Sequence, residues 1–336
     1  RSSDLYSKEI TFDGQLGKIY NNAQLMGKID LPTHISTSFR FIASISTFDY
    51  YKKDKLFSRN DKPSFNSKDE RFVKLMVALP FLANKRAEFS LGYGQLEDNY
   101  FQSSVIDFDK DRSDRSTYKL LGGSIGFYGS TLNTRQYATK GYLEKLIAQV
   151  FTGRERFEPG NPREGYSPSP QERQSWLQIS YMKEAYHTMG PKFTLGWMAE
   201  ALYSSKNFSE NYTATMMQAG EFAPTPHSKL MYNEAFRANQ YVAAGIKPIY
   251  VLNDMFQFRT EFYGFTPIFP IKKNALNKAY YGKAFSRFEY MGEVSVICHL
   301  PFGAISAYVN HYSSPRREWN VGMTIGWQLF NYRFVE

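Results

Sequence analysis

The segment from Gly122 to Gly126 reads G-x-S-x-G, the pattern in this sequence that most resembles a catalytic motif. In serine hydrolases with this motif, the serine lies on a sharp turn between a strand and a helix, which exposes its hydroxyl for attack. Here the motif lies inside an alternating segment that continues from Phe127 to Gly129, and no helical pattern follows. The small residues at positions 122, 124 and 126 share one strand face. They predict a wall that a plug or loop approaches closely.

The remaining nucleophiles and metal-ligating residues do not form a recognisable set. The five histidines have no metal-ligand spacing, and the single cysteine, Cys298, excludes an internal disulfide and is read as a small apolar residue. A barrel phospholipase would need Ser and His on an outer strand face, whereas His299 lies on a polar face near a turn. We therefore expect no catalytic residue, no metal ion and no cofactor in this chain.

Composition argues against a membrane protein built of helices. Aromatic residues make up 17% of the 336 residues, yet the mean hydropathy is −0.48. A spanning helix needs about 18 to 20 apolar residues in a row. The nearest candidate, Val294 to Val309, is interrupted by His299, Pro301 and Gly303. In a membrane barrel only alternate strand residues meet lipid, and aromatic residues gather in girdles at the two interfaces, so this composition suits a barrel.

The net charge of +9 also narrows the choice of partners. The basic residues are scattered among loops and are not interleaved with stacking aromatics on one module, so nucleic acid is not expected. Outer-membrane lipid and lipopolysaccharide phosphates are the expected anionic partners.

The period of the side chains is clearest between Arg287 and Phe330. Val294, Val296 and Cys298 lie on one face of an extended segment, and Glu293, Ser295 and His299 lie on the other. Two further alternating segments of about ten residues follow, each after a tight turn. Their apolar faces are long and aromatic-tipped, and their opposite faces carry Glu, Asn, Gln, Thr and Gly. This apolar-out, polar-in arrangement is the inverse of a soluble barrel.

The whole chain follows the same rhythm. It gives about 14 predicted strands and no composition shift that would mark a second domain, so residues 1–336 are predicted to form one antiparallel, up-and-down transmembrane β-barrel of the all-β class. Short turns alternate with mostly longer loops. Since short turns of outer-membrane barrels face the periplasm, an even strand count places both termini there. The expected location is the bacterial outer membrane.

Inward faces carry charges of both signs, which are compatible with two different interiors. The predicted luminal charges are Arg40, Glu184, Glu200, Lys247, Arg259, Glu261 and Glu293. They could line a water-filled channel or form a salt-bridged seat for a plug, and the sequence leaves both alternatives open.

The last predicted strand resembles the C-terminal signal of bacterial outer-membrane proteins. Its residues are Asn320, Gly322, Ile325 and Trp327, followed by a short tail from Asn331 to Glu336 where many such proteins end on Phe. The resemblance implies the barrel-assembly machinery as a partner during insertion. The alternative is a closing strand of a soluble sandwich.

Four segments resemble a known family: Phe236 to Gly245, Gly292 to Ser306, Thr152 to Gly160 and Asn320 to Asn331. They are similar to the C-terminal barrel of Bacteroidetes patatin-like phospholipases, a branch of the Omp85 superfamily. The resemblance implies a barrel of 16 strands behind POTRA-type and patatin domains, so two strands and these domains would precede Arg1. It also implies that any phospholipase activity would lie in an upstream domain.

The same resemblance implies that the loop of residues 205–238 folds into the lumen. The Arg-Gly pair typical of that loop is missing, since the sequence contains no Arg-Gly dipeptide. Arg237 is the nearest basic residue, and we expect it to pair with Glu261 on a later strand. The alternative is a solvated Arg237 and an unrelated luminal Glu261.

The loop from Pro267 to Arg287 is basic and contains no acidic residue. Its charges predict a lipopolysaccharide or anion patch, or alternatively a solubilising loop; they are Lys272, Lys273, Lys278, Lys283 and Arg287. The predicted function is an outer-membrane barrel that anchors, and secretes or positions, an upstream patatin-like region. The alternatives are a stand-alone transport barrel, of porin or fatty-acid-channel type, and a structural subunit that assembles with other outer-membrane subunits or as a homodimer.

Overall fold

The computed structural model describes residues 7–17, 19–31, 36–50, 66–102, 111–161, 172–301, 303–314, 319–326 and 332–335. In chain order the strands are β1 (Ser7–Gln15), β2 (Tyr20–Leu31), β3 (Thr37–Tyr50), β4 (Asn66–Leu82), β5 (Lys85–Tyr100), β6 (Asp114–Ser130), β7 (Gly141–Glu158), β8 (Glu172–Thr188), β9 (Phe193–Ser204), β10 (Gly220–Glu221), β11 (Arg237–Ala238), β12 (Gln240–Val251), β13 (Phe256–Pro267), β14 (Ile271–Lys273), β15 (Ala279–Tyr281), β16 (Glu289–Leu300), β17 (Gly303–Tyr312) and β18 (Trp319–Ile325). The helical elements are α1 (Tyr212–Gln218) and two 3₁₀ turns, Ser228–Leu230 and Glu234–Phe236.

One antiparallel sheet of 14 strands forms the wall, in the order β1 to β9, β12, β13, β16, β17 and β18. Each strand pairs with its neighbour along the chain, so the wall is an up-and-down meander. The two remaining strand pairs, β10 with β11 and β14 with β15, lie in the two long connections of the later half. The predicted fold class, an all-β up-and-down barrel with about 14 visible strands, is confirmed.

The two faces of the wall differ in the way that the alternation predicts. Outward side chains are large, apolar and exposed, for example Leu75 at 60%, Leu91 at 57% and Phe262 at 53%. Inward side chains of the same strands are buried, and many are polar or charged, such as Lys74 and Glu261. Each exposed apolar Å² costs about 25 cal/mol in water, so an apolar surface around the whole sheet is stable only in hydrocarbon. The wall is therefore a transmembrane barrel.

Strands β4 to β8 extend further at the long-loop end than the sequence predicts. The alternation in the sequence predicts a fourth strand from Arg71 to Phe81, but β4 starts at Asn66 and pairs with β5 through Ser67 and Asn99. Likewise, the prolines and glycines between Phe157 and Arg173 predict a loop, but β7 continues to Glu158. The apolar alternation marks only the part of a strand that faces hydrocarbon, whereas backbone hydrogen bonding continues past it among polar residues.

No helix among the described residues has the length and apolar character needed to cross a bilayer. Instead, the helical turns belong to the connection between β9 and β12, residues 205–239, which we call the luminal loop. It packs against the inner faces of β9, β12, β13, β16 and β17 through an apolar cluster centred on Phe222, Phe236 and Phe265. A second inner cluster joins Phe72, Phe151 and Phe334. The barrel interior is filled from two sides.

Candidate functional site in the barrel lumen

The luminal loop has a defined local structure of its own. Asn211 caps helix α1, since its side-chain oxygen accepts the backbone N–H of Ala214 at 2.9 Å. Strands β10 and β11 form a two-residue hairpin in which Glu221 lies opposite Arg237. Most side chains of α1 are buried, which is unusual for a connection of a membrane barrel that faces water. The loop is thus a folded plug, as the family resemblance implied for residues 205–238.

His227 fastens the loop to the wall on one side. Its Nδ1 lies 2.7 Å from a carboxylate oxygen of Glu293, and its Nε2 lies 3.0 Å from the hydroxyl of Ser306. The second oxygen of Glu293 accepts the hydroxyl of Thr225 at 2.9 Å. The imidazole also stacks on Tyr308, with ring centroids 3.6 Å apart. Four groups from the loop and two strands therefore satisfy each other in a buried, low-dielectric place.

The order Ser306, His227, Glu293 is that of a hydrolase triad, but its surroundings prevent catalysis. The Ser306 hydroxyl is also bonded to Thr324 at 2.5 Å and to Tyr137 at 3.1 Å. The three residues are 0%, 1% and 3% exposed, so no acyl group can reach the oxygen. The set holds the loop in place. Sequence reasoning missed it because Glu293 is 66 residues away from a histidine that lies in a loop.

Lys206 fastens the loop on the opposite side. Its ammonium lies 4.6 Å from the ring centre of Tyr118 and 4.7 Å from that of Trp176, and it donates to the amide oxygen of Gln218 at 3.1 Å. Gln218 in turn donates to Asp98 of β5 at 2.5 Å. Burial lowers the pKa of Lys206 to about 8, although the carboxylates of Glu155 and Asp98 oppose that shift. The cation is held by π faces and carboxylates together.

Further hydrogen bonds join the start of the loop to β5, β6 and β7. Asn211 donates to the phenol oxygen of Tyr100 at 2.8 Å, and the hydroxyls of Ser209 and Tyr118 lie 2.8 Å apart. The backbone N–H of residue 210 donates to Glu155 at 3.3 Å. The loop is thus attached to strands on both sides of the lumen, so it spans the lumen and does not rest on one wall only.

Arg237 does not reach Glu261, so the predicted pair is corrected. The guanidinium binds Glu221 across the β10–β11 hairpin at 2.8 Å and donates to the carbonyl oxygens of Met217 and Ala219 at 3.3 and 3.4 Å. It also lies over the ring of Tyr232, 4.7 Å from the centroid. Arg237 therefore stabilises the loop internally, because its nearest carboxylate is the one placed opposite it by the hairpin.

Glu261 has partners on the wall itself. It accepts from the Arg259 guanidinium at 2.9 Å and from the Tyr263 hydroxyl at 2.7 Å. Nearby, Lys247 donates to Glu184 at 2.7 Å. The seven charges predicted to face the lumen all do so. Among them, Lys247 pairs with Glu184, and Arg259 pairs with Glu261. Of the two interiors that the sequence left open, the described residues form the salt-bridged seat.

The second plug is the segment of residues 332–335, which we call the C-terminal segment. The backbone N–H of Phe334 donates to the buried carboxylate of Glu70. Lys74 donates to the carbonyl oxygen of Arg333 at 2.8 Å, and Arg40 donates to the hydroxyl of Tyr332 at 3.3 Å. Three charged wall residues of β3 and β4 thus hold a short stretch of backbone and one phenol.

The ring of Phe334 rests on a glycine cradle formed by Gly92, Gly94 and Gly122. A Cβ placed on Gly94 would lie 2.9 Å from the ring, and Cβ atoms on the other two would lie 3.2 and 3.3 Å from it. The predicted close approach of a plug to the small residue at position 122 is confirmed. Ser124, the serine of the G-x-S-x-G motif, lies within β6 and bonds to the hydroxyl of Ser90 at 2.6 Å, so it is not on a strand-to-helix turn.

Three members of the predicted basic patch already interact with other side chains of the protein. Lys278 binds Glu210 at 2.7 Å, Arg287 binds Glu289 at 2.7 Å, and Lys273 lies 5.7 Å from the ring centre of Tyr212. The other two members, Lys272 and Lys283, are exposed and form no ion pair within the described ranges. Lipopolysaccharide binding stays a prediction, and Lys272 and Lys283 are the members of the patch whose charges are available for it.

The predicted C-terminal signal is described in part. Asn320 and Gly322 face inward, and Asn320 donates to the amide oxygen of Asn310 at 3.1 Å. Ile325 faces outward and is 68% exposed. Trp327 lies outside the described residues, so the signal stays a prediction. In the part of the chain that the structure describes, no cluster of three or more His, Cys, Asp or Glu residues could hold a metal ion.

The fold of the wall resembles that of solved outer-membrane barrels. The structure of BamA from Haemophilus ducreyi lacking POTRA domains 1–3 matches with a TM-score of 0.61 and 11% identity over 95% of this chain. CdiB from Acinetobacter baumannii matches with a TM-score of 0.46 and 9% identity over 95% of the chain, and CdiB from Escherichia coli with 0.40 and 9% over 97%. This chain spans 64% of the BamA chain and 65% and 67% of the two CdiB chains.

No protein-family model matches the chain. Comparison with curated protein sequences finds no match either. At 11% identity the BamA likeness concerns the fold alone. The described wall therefore shares the β-barrel fold of that structure.

Proposed function

We propose that this chain is an outer-membrane barrel of Omp85 type that keeps its lumen closed while it anchors and positions a patatin-like phospholipase region. The observation that supports a closed lumen is the luminal loop, a folded plug attached to the wall at His227 and Lys206. A constitutive diffusion channel needs a water-filled path, whereas both plugs here are buried among side chains.

The lengths of the connections support one direction of the barrel in the membrane. Long connections, such as residues 205–239 and 268–288, are at one end of the wall, and short ones, such as residues 83–84 and 252–255, are at the other. Short turns of outer-membrane barrels face the periplasm, so we place the long-loop end outside and both termini in the periplasm. An anchored region joined to either terminus would then work in the periplasm or be passed outward through an opened lumen.

Conductance tests the closed lumen. Purified barrel in planar bilayers is expected to be silent, or to open rarely. A variant in which residues 206–238 are replaced by a short Gly-Ser linker should conduct steadily, with a heat-modifiable gel shift to verify folding. Steady conductance of the unaltered protein would instead support the second candidate, a transport barrel. The 14 strands of the wall are compatible with that candidate too.

The anchored region is supported by the sequence resemblance and is tested separately. The intact mass of the polypeptide extracted from outer membrane without proteolysis should exceed 38.9 kDa by the mass of upstream domains. That preparation should hydrolyse phospholipids. A mass near 38.9 kDa would remove the anchor proposal and favour transport or a structural subunit, which a stable partner on native purification would reveal.

A further inference from the structure

The inner face of the wall carries a polar cavity of about 230 Å³ beside the short connections that join β2 to β3 and β4 to β5. The charged residues that line it are Lys28, Asp30, Arg40 and Arg86. Ser38 and Ala78 lie opposite each other on β3 and β4 and line it too. Because their side chains are small, they leave space between the charged groups.

Positive charge is in excess around this cavity. Lys28 binds Asp30 at 2.7 Å. Arg40 and Arg86 share a single carboxylate, that of Glu88, at 3.3 and 2.6 Å. Three cations therefore face two carboxylates. Since Glu88 is 4% exposed, these charges lie in a partly desolvated place, where an unbalanced charge attracts a counterion more strongly than at an open surface. The cavity therefore favours an anion.

The cations keep donors that these ion pairs do not use. Arg40 bonds to Glu88 and to the hydroxyl of Tyr332 through the same Nη, and Arg86 bonds to Glu88 through its Nε. The other guanidinium nitrogens of the two arginines make no hydrogen bond to a described residue. The hydroxyl of Ser38 is buried and also lacks a partner in the described part of the chain. An oxyanion would accept from both kinds of donor.

The arrangement of the cations favours phosphate over a carboxylate. A carboxylate has two oxygens in one plane, which a single guanidinium fork can satisfy. Here Lys28, Arg40 and Arg86 reach the cavity from three different strands, β2, β3 and β5. Donors on several sides suit the three free oxygens of a phosphate monoester. Its charge of about −1.5 to −2 at pH 7 also exceeds that of a carboxylate.

We infer that this cavity binds a phosphate group, held by Lys28, Arg40 and Arg86. The cavity is present with the C-terminal segment in place, because Tyr332 bonds only to the Nη of Arg40 that Glu88 also uses. The phosphate group has two possible sources, a small soluble phosphate compound in the lumen or a phospholipid headgroup at the rim of the wall. The site depends neither on the region that the barrel anchors nor on the direction of the barrel in the membrane.

Isothermal titration calorimetry of the detergent-solubilised barrel tests the site, with inorganic phosphate as the probe at low ionic strength. The unaltered protein should bind one phosphate. Arg86→Gln removes one cation and leaves Arg40 to pair with Glu88, so it should weaken binding at least about tenfold, as the loss of a charged hydrogen bond does. Lys28→Gln tests the site from another strand and should weaken binding to a similar extent. A heat-modifiable gel shift verifies that each variant is folded.

The matched control is Lys85→Gln, which changes the net charge by the same amount. Lys85 is the neighbour of Arg86 on β5 and does not line the cavity, since it shares the outward strand face with Phe89. Its phosphate affinity should equal that of the unaltered protein. Equal affinities of the Arg86, Lys28 and unaltered proteins would overturn the proposal. So would an equal loss in Lys85→Gln, which would show attraction by the net charge alone.

Two further probes identify the source and the class of the anion. Binding of inorganic phosphate that depends on Arg86 supports the site and assigns it to a soluble phosphate compound. Binding of phosphatidic acid from detergent micelles that depends on Arg86, without binding of inorganic phosphate, supports it and assigns it to a lipid headgroup. Binding of neither probe would overturn the proposal. Acetate bound as tightly as phosphate would also overturn it and would assign the cavity to carboxylates.

Discussion

The two plugs of the lumen are held by different combinations of interactions. The luminal loop is joined to the wall by buried polar and charged contacts, of which the His227–Glu293 pair is the most enclosed. The C-terminal segment places one ring in a glycine cradle, and Glu70, Lys74 and Arg40 of the wall bond to its backbone and to one phenol. These wall charges meet neutral groups of the segment, whereas Glu293 meets an ionisable side chain that is buried with it, and breaking a buried pair of that kind is the more unfavourable loss.

This difference indicates which plug can move. The loop is continuous with β9 and β12 at both ends and makes specific contacts with strands on both sides of the lumen. The described part of the C-terminal segment is four residues long. If the barrel opens, we expect the C-terminal segment to leave the wall at a smaller free-energy cost than the loop. The predictions below change one plug at a time, in order of decreasing effect.

Glu293→Ala should have the largest effect. It leaves His227 and Thr225 buried without an acceptor, and breaking a buried pair typically costs about 3–5 kcal/mol. The free energy of unfolding, from urea titration in detergent, should fall by that order. Glu144→Ala provides the control, because Glu144 pairs with Lys183 on the outward face of the wall, where both side chains are about one-third exposed, and such pairs contribute about 0–1 kcal/mol. Equal losses in the two variants would contradict a buried lock at His227.

Lys206 gives the loop a pH dependence of definite sign. Its folded pKa is about 8 and its unfolded value is 10.5, so between these pH values the unfolded chain binds more protons and stability rises with pH. The gain in the free energy of unfolding is at most about 3–4 kcal/mol, since one pKa unit is about 1.4 kcal/mol. The measured quantity is the difference between unaltered protein and Lys206→Met.

Taking that difference matters because Asp98, Glu155, Lys68 and Tyr118 also face this cation. Their own titration contributes to both proteins and largely cancels. A difference that is flat from pH 8 to 10.5, or that falls, would show that the Lys206 cation is better solvated than its buried position indicates.

How much of these two plugs could be foreseen from sequence depends on how local the signal is. The glycine cradle was visible in part, because Gly122, Ser124 and Gly126 share a strand face and their small size is a property of the strand alone. The occupant of the cradle was not visible, since Phe334 comes from a segment far along the chain. Likewise, the inward direction of Glu293 followed from alternation, but its partner His227 did not.

The corrected pair makes the same point. Arg237 was expected to reach Glu261 because Glu261 faces inward on a later strand, and it does face inward. The two-residue hairpin of β10 and β11 places Glu221 directly opposite Arg237, and so short a pairing has no period for a sequence to display. Strand period determines the wall, and contacts across the lumen depend on where a loop of more than thirty residues folds.

The glycine cradle gives the third prediction, with an unusually close control. Gly94→Ala places a methyl group 2.9 Å from the ring of Phe334, whereas Gly123→Ala, on the outward face of the neighbouring strand, meets nothing closer than 3.6 Å. Overpacking costs about 1–3 kcal/mol, so the first variant should release the C-terminal segment and the second should not. Release is measured as protease cleavage after Arg333 or as more frequent channel openings.

Phe334→Ala should release the same segment by removing the ring. If Gly94→Ala acts only through Phe334, the two changes together should cost no more than Phe334→Ala alone, because they break one contact. Full additivity would mean that Gly94 serves the wall independently of the segment.

The smallest effect on stability is expected in the basic connection between β13 and β16, residues 268–288, which lies outside both plugs. Neutralising Lys272, Lys273, Lys278 and Lys283 to Gln should weaken lipopolysaccharide co-purification, while the free energy of unfolding changes by less than about 1 kcal/mol, as for exposed charges generally. Lys278→Gln alone is the informative control, because the charge of Lys278 is already paired with Glu210 of the luminal loop. Its lipopolysaccharide retention should match the unaltered protein. If the four-lysine variant retains lipopolysaccharide unchanged, these lysines do not bind it, and their charges only keep the long-loop end of the barrel hydrated.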